Sequence, residues 1–175
     1  MVVDEVEVAV HPVVGKVSAA CGLTAVSGHW TRWRHFNEAM LDRVAQAIAT
    51  SERLHDGELL VVVETSLPNG TPESHARALE VFGLQRVWDT ADGTGILLYI
   101  ALGDHCIEIV TDRGIDVEEA VWEQVCERLQ ARFAKGEYVD GLIAAIEQIE
   151  NVLQANLPPA SEPARNDLSD RPVML

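Results

Sequence analysis

Gly95–Ile115, which reads GILLYIALGDHCIEIVTDRGI, decides the fold. Ile96 to Leu102 is an almost unbroken apolar run, the mark of a strand covered on both faces. Gly103-Asp104 follows, and a two-residue centre with Gly first predicts a type II′ hairpin turn. His105 to Thr111 then alternates, and is expected to be the less buried partner. Upstream, Glu58 to Thr65 is a second apolar run, entered through the Asp56-Gly57 turn. Between the two runs lie the turn Pro68-Asn69-Gly70 and a helix start at Thr71-Pro72-Glu73. There a capping residue precedes Pro at the first helical position, with an acid beside it. That helix is expected to carry Ala76, Leu79, Val81 and Phe82 and to run to Trp88. A strand–helix–strand unit makes a parallel pair with a right-handed crossover, to which the hairpin adds an antiparallel neighbour.

Helices flank this unit. Asn37 is a good N-cap for a helix whose stripe is Met40, Leu41, Val44, Ala45 and Ile48. Asp116 is expected to cap another, with Val121, Trp122, Val125, Leu129 and Phe133 inward and Gly136 at its C′ position. Val139, Leu142, Ile146, Ile149 and Leu153 recur at spacings of three and four, the cleanest helical period in the chain. The order predicts an α/β fold, a small mixed sheet with helices on both faces. Residues 1–35 read as an irregular N-terminal arm and 36–156 as the domain. From Pro158 onward Pro, Ser, Asp and Arg dominate, so 157–175 is expected to be a disordered tail, removable at little cost.

Lys and Arg number 13 against 28 Asp and Glu in 175 residues, a net charge of −15. That balance excludes charge-driven binding to a nucleic-acid backbone or an anionic membrane, and it suits cations or basic partners. The cluster Trp30, Arg32, Trp33, Arg34 and Phe36 has the residue types of a nucleic-acid contact. It is read here as rings that staple the arm to the body. Cys21, Cys106 and Cys126 form no CxxC pair and are expected to be buried thiols in a reducing compartment. Pro12 to Val26 is too short and too broken to span a membrane, and Asp4, Glu5 and Glu7 stand where a secretory signal wants positive charge. A cytoplasmic protein is expected, without membrane insertion.

Familiar catalytic motifs are absent: no Walker A loop, no Gly-x-Ser-x-Gly elbow and no HExxH. Carboxylates at strand ends remain. Asp89 and Asp92 precede the second strand and Asp112 leaves the third, so the topology sends them to one edge of the sheet. Three acids on irregular backbone are what Ca²⁺ or Mg²⁺ requires, whereas Glu64 falls at the opposite edge.

The Gly95–Ile115 segment resembles the core of the TPM-domain family. Phe133 to Ile146, with its Gly-x-Tyr-x-x-Gly pattern, is similar to that family's closing helix, and Gly57 to Leu67 fits as well. The resemblance covers about residues 36–155 and implies a three-layer α/β/α sandwich. Its members include a thylakoid-lumen protein of photosystem repair, described as an acid phosphatase with divalent-cation binding, and membrane-tethered modulators of other proteins. The expected function is a domain that works through contacts with a protein partner, with Ca or Mg bound by Asp89, Asp92 and Asp112. The alternative is a metal-assisted phosphomonoesterase. In it Asp92 and Asp112 hold the metal, Asp89 orients water and Arg113 binds phosphate charge.

Overall fold

The structure is a computed structural model that describes residues 36–51, 54–71, 73–159 and 167–175. The expected arm over 1–35, with Cys21, Trp30, Arg32, Trp33 and Arg34, lies outside the described residues, apart from Phe36 beyond its end. Phe36 is buried in the core.

Among the described residues, four helices and a four-stranded mixed sheet make the fold: α1 (Glu38–Ser51), β1 (Glu58–Glu64), α2 (Ser74–Leu84), β2 (Gly95–Ala101), β3 (Cys106–Thr111), α3 (Glu119–Phe133), α4 (Tyr138–Asn156) and β4 (Val173–Met174). The strand order is β3-β2-β1-β4. β1 and β2 run parallel from Glu58↔Gly95 to Glu64↔Ala101, and β2 pairs antiparallel with β3 from Ile96↔Thr111 to Ala101↔Cys106. The parallel crossover and the hairpin are those the sequence predicts.

Alternation along the strands divides the interior into two layers. Leu59, Val61, Val63, Ile96, Leu98, Ile100, Ile107 and Ile109 face α1, α3 and α4, with Trp122, Leu142, Ile146 and Ile149 packed over them. Leu60, Val62, Leu97, Tyr99, Ala101, Cys106 and Val110 face α2, which returns Ala78, Val81 and Phe82. The result is an α/β/α arrangement with three helices on one side and one on the other.

Local chemistry explains most boundaries. The Asn37 side chain accepts the Met40 amide at 3.1 Å, the capping contact its identity suggests. Gly136, at φ 79, closes α3 in a Schellman turn: Glu137 N–H donates to the Arg132 carbonyl and Gly136 N–H to that of Phe133. Buried His55 ties the turn before β1 to α4. The Gly57 amide donates to Nδ1 at 3.0 Å, so the proton sits on Nε2, which donates to Glu150 at 2.9 Å.

Several expectations are corrected. α2 begins at Ser74 and stops at Leu84, short of Trp88, because Arg86 adopts φ 57 and completes a Schellman turn in which Val87 N–H reaches the Phe82 carbonyl. An arginine in that left-handed position leaves no glycine signal to read. Ala76 is exposed, and Ala78 is the residue turned inward. In the hairpin the positive φ falls on His105, at 54, in a longer Leu102–His105 connection, so the type II′ turn on Gly103-Asp104 does not form. α3 starts at Glu119 after Glu118, so Asp116 is not its cap.

The largest correction is the tail. Val173 and Met174 form β4, parallel to β1 through Val62↔Val173 and Val63↔Met174. Pro172 is buried, Leu168 and Val173 pack on the α2-side core, and Met174 packs on the other. Residues 167–175 are therefore part of the folded domain, bound by backbone pairing that no apolar period announces. The burial of Ile146, at 1 % exposure, gives a first test. Ile146→Ala is expected to lower the unfolding free energy by about 2–5 kcal/mol through the cavity it leaves. Chemical denaturation checks this, and a near-neutral change would mean that α4 turns a different face inward.

Candidate functional site

The edge of the sheet where β2 begins and β3 ends holds the acids singled out by sequence. Asp112 is buried, at 7 % exposure, with one carboxylate oxygen accepting the Arg113 amide at 2.7 Å. The loop before β2 lies against it: Gly114 N–H donates to the Gly93 carbonyl at 2.7 Å, and Asp112 N–H to that of Gly95 at 2.9 Å. Two glycines make this approach possible. A Cβ on Gly114 would stand 2.5 Å from the Asp92 carbonyl oxygen, and one on Gly95 would stand 2.0 Å from that of Val87.

The three acids do not form a cage. Asp89 is exposed and engages Arg86 at 2.5 Å, one turn back along the chain. Asp92 is exposed on the loop, and Arg113 is exposed beside it, with its stem against Gly93. Among the described residues no three His, Cys, Asp or Glu side chains are grouped as a metal ion requires. The expected convergence of Asp89 with Asp92 and Asp112 is thus corrected. Local pairing within the turn satisfies Asp89, and only the Asp92–Gly93 loop meets Asp112.

The sheet face under α2 carries a group that sequence reasoning missed. β3, expected to be the less buried partner of the hairpin, is buried at all six residues, and its Glu108 fully so. The Ser74 hydroxyl donates to it at 2.5 Å, and His75 Nδ1 stands 3.5 Å from its other oxygen. Ser74 and His75 open α2, and Glu73 before them makes no side-chain cap, so a carboxylate from β3 serves the start of the helix. Glu64, at the end of β1, accepts two bonds from Arg77, at 3.1 and 2.8 Å, and the phenol of Tyr99 donates to it. The Glu64 carboxylate holds the Arg77 guanidinium above its ordinary range. Burial and then the Glu64 carboxylate push the Tyr99 phenol up. Tyr99 and Glu108 are cross-strand partners, so the two clusters adjoin. Ser74 and His75 both address Glu108, which makes this a clamp on the helix start and not a nucleophile relay. The one available signal was spacing: Glu58, Glu64 and Glu108 share the side-chain parity of the α2 face.

The thiols read as inert. Burial pushes the Cys126 thiol up to about 12, and buried Cys106 donates to the Asp104 carbonyl at 3.3 Å. A groove of about 560 Å³ between α1 and α4 has Ala47, Ile143 and Ile146 in its lining and the half-exposed Leu54 at its rim.

The remaining built surface is the outer edge of β1, where residues 167–175 lie. The Glu58 carboxylate accepts the amides of Asp167 and Leu168 at 3.0 Å. Leu175 N–H donates to the Val63 carbonyl at 3.0 Å, and Thr65 N–H to the Leu175 carbonyl at 3.3 Å. Arg171 reaches Glu38 and Asp42 on α1. A segment that ends in a two-residue strand is thus held by backbone pairing, a buried carboxylate and an acidic pair.

The comparisons with known proteins agree with this architecture. The family model described as the TPM domain matches residues 35–152. The chain belongs to the TPM-domain family. The NMR structure of the BA42 protein from the psychrophilic bacterium Bizionia argentinensis superposes with a TM-score of 0.71 at 23% identity, covering 79% of this chain and 94% of that one. That likeness shows the shared fold. No curated protein matches this TPM-domain chain. Among its described residues no helix is long and apolar enough to cross a membrane.

Glu58 supplies a pH-dependent test of this edge. Burial, which outweighs the two amide bonds, raises its pKa from the ordinary 4.5, and Asp167 and Asp170 add repulsion. The folded protein therefore holds this proton more tightly than the unfolded chain. Its contribution is fully present below pH 4.5 and is lost as pH climbs through the raised value. Glu58→Gln, which keeps an acceptor for the amides, is expected to remove that fall in stability and to cost nothing at neutral pH. Urea melts at stepped pH would contradict this if the variant kept the wild-type slope.

Proposed function

We propose that this TPM domain is a cytoplasmic protein-contact module rather than a catalyst. One observation carries the reading: on the outer edge of β1, Val173 and Met174 pair as a short added strand and the Glu58 carboxylate takes the amides of Asp167 and Leu168, contacts by which domains bind peptides. The buried thiols Cys106 and Cys126 suit a reducing compartment. The net charge of −15 favours a basic partner over nucleic acid.

A divalent cation belongs to this reading at Asp112. What supports it is a buried carboxylate with one oxygen on the Arg113 amide and the other against Gly93, beside a loop that carries Asp92. A cation at a hundredfold excess over its dissociation constant adds about 2.7 kcal/mol, or about 5–10 °C in a chain of this length. With ionic strength held fixed by NaCl, Ca²⁺ or Mg²⁺ is expected to raise the melting temperature and Asp112→Asn to abolish the rise. A wild-type curve indifferent to both ions removes the cation from the proposal.

The second reading is phosphomonoester hydrolysis, with Asp112 and Asp92 on a metal and Arg113 facing phosphate; the family model's name, TPM phosphatase, favours testing it. Purified protein given a chromogenic phosphate ester with Mg²⁺ or Ca²⁺ is expected to show no turnover. Turnover that survives purification and disappears in Asp112→Asn would replace the contact reading with the enzymatic one.

A further inference from the structure

The chemistry of the segment on the β1 edge can be read residue by residue. Its first amides are taken by the Glu58 carboxylate. Arg171 spans Glu38 and Asp42 on α1, with its side chain 46% exposed. Pro172 is buried, and Val173 and Met174 pair with β1 and face opposite layers. Each grip is modest, since exposed ion pairs hold weakly and the ladder is two residues long. The strand beneath is different: all seven residues of β1 are buried, and β4 pairs with two of them, Val62 and Val63. A weak cover over a strong acceptor is the arrangement of a displaceable strand.

The path of the chain points the same way. α4 hands over to Leu157, whose methyl lies 2.9 Å from where a Cβ on Gly57 would stand, and the Asp167 amide lies on the neighbouring Glu58 carboxylate. Departure and return therefore fall on neighbouring residues, yet nine residues, 158–166, join them. Nine residues are more chain than two neighbouring end points require. Short strained hinges are what drive exchange between copies, so the geometry favours a foreign occupant over a second copy. A tethered segment competes at an effective concentration on the order of millimolar, so intact protein would bind such an occupant poorly.

We propose that the outer edge of β1 is a binding groove for an extended segment of another protein, with a basic residue followed by proline and two aliphatic residues. Residues 167–175 close that groove in cis until displaced. The inference rests on the protein-contact reading above. Glu38 and Asp42 select the basic residue, the buried position of Pro172 selects proline, and the edge of Val62 to Thr65 takes the extended chain.

The probe is a fluorescent peptide with the sequence of residues 167–175, read by polarisation against the full-length chain. Two forms release the cis segment. One is the double variant Arg171→Glu with Val173→Asp, with its fold checked by circular dichroism. The other is the native sequence with a protease site inserted between 160 and 166, nicked after folding. Both are expected to bind the probe at least tenfold more tightly than intact protein, and a probe carrying Arg171→Glu is expected to lose at least tenfold. Failure of the nicked protein to bind the probe, or indifference to Arg171→Glu in the probe, would overturn the groove. A dimer that appears in sedimentation as the segment is released would assign the groove to a second copy and overturn it equally. Phosphate-ester turnover strikes the contact reading itself, whereas missing probe binding without turnover strikes only the groove.

Discussion

β1 must be paired on both of its edges. Val61, Val62 and Val63 are wholly buried between two layers, so water cannot reach the strand's amides and carbonyls. A buried backbone group left unpaired costs about 1–3 kcal/mol. β2 satisfies one edge along the whole strand. On the other edge the chain returns from beyond α4, with the Leu175 backbone bridging Val63 and Thr65. The position of the last strand is thus set by the needs of the first. A sheet that ended at β1 would present a flat apolar edge of the kind that invites uncontrolled pairing.

The same strand explains the acids under α2. A helix with its side chains is about 10–12 Å across, while four strands span about 14 Å between their outer axes. One helix cannot roof that width with apolar side chains alone. The margins of its footprint carry Glu58, Glu64 and Glu108, and each is met by a specific donor: amides of the returning segment, Arg77 with Tyr99, and Ser74. On the opposite face three helices supply enough apolar surface, and Thr111 is the buried polar strand residue of that parity. Polar burial here is a consequence of uneven coverage.

These features sort by how the sequence records them. Val139 to Leu153 and the two apolar strands were legible because their spacing is dictated by helix and sheet geometry, and Asn37 because a side-chain cap is a local event. The stop of α2 was hidden because Arg86 takes a turn conformation usually advertised by glycine. The burial of β3, Glu108 included, was underestimated because alternation separates two faces and does not say that both are covered. The returning segment was missed because its attachment is backbone pairing over two residues plus a proline, a pattern shared with unstructured tails. At the candidate site, sequence brought the Asp92 loop and Asp112 to one edge correctly. It could not foresee that Asp89 pairs with Arg86, since that pair belongs to the turn that Arg86 makes at φ 57.

The two faces therefore differ in how readily they open. The layer of α1, α3 and α4 is held by a continuous apolar core from Phe36 to Leu153, and opening it means exposing that surface as a unit. The cover on the β1 edge has little apolar area of its own: Pro172 is buried, Val173 and Met174 are half-buried, and Arg171 is exposed. Free energies of local opening follow such differences in buried contact, so the displacement proposed for this edge would expose less apolar surface than opening the other layer. Recognition surfaces need that property, because a partner gains only what the surface was able to release. The strand that needs a partner on both edges is thus covered on one of them by a two-residue ladder.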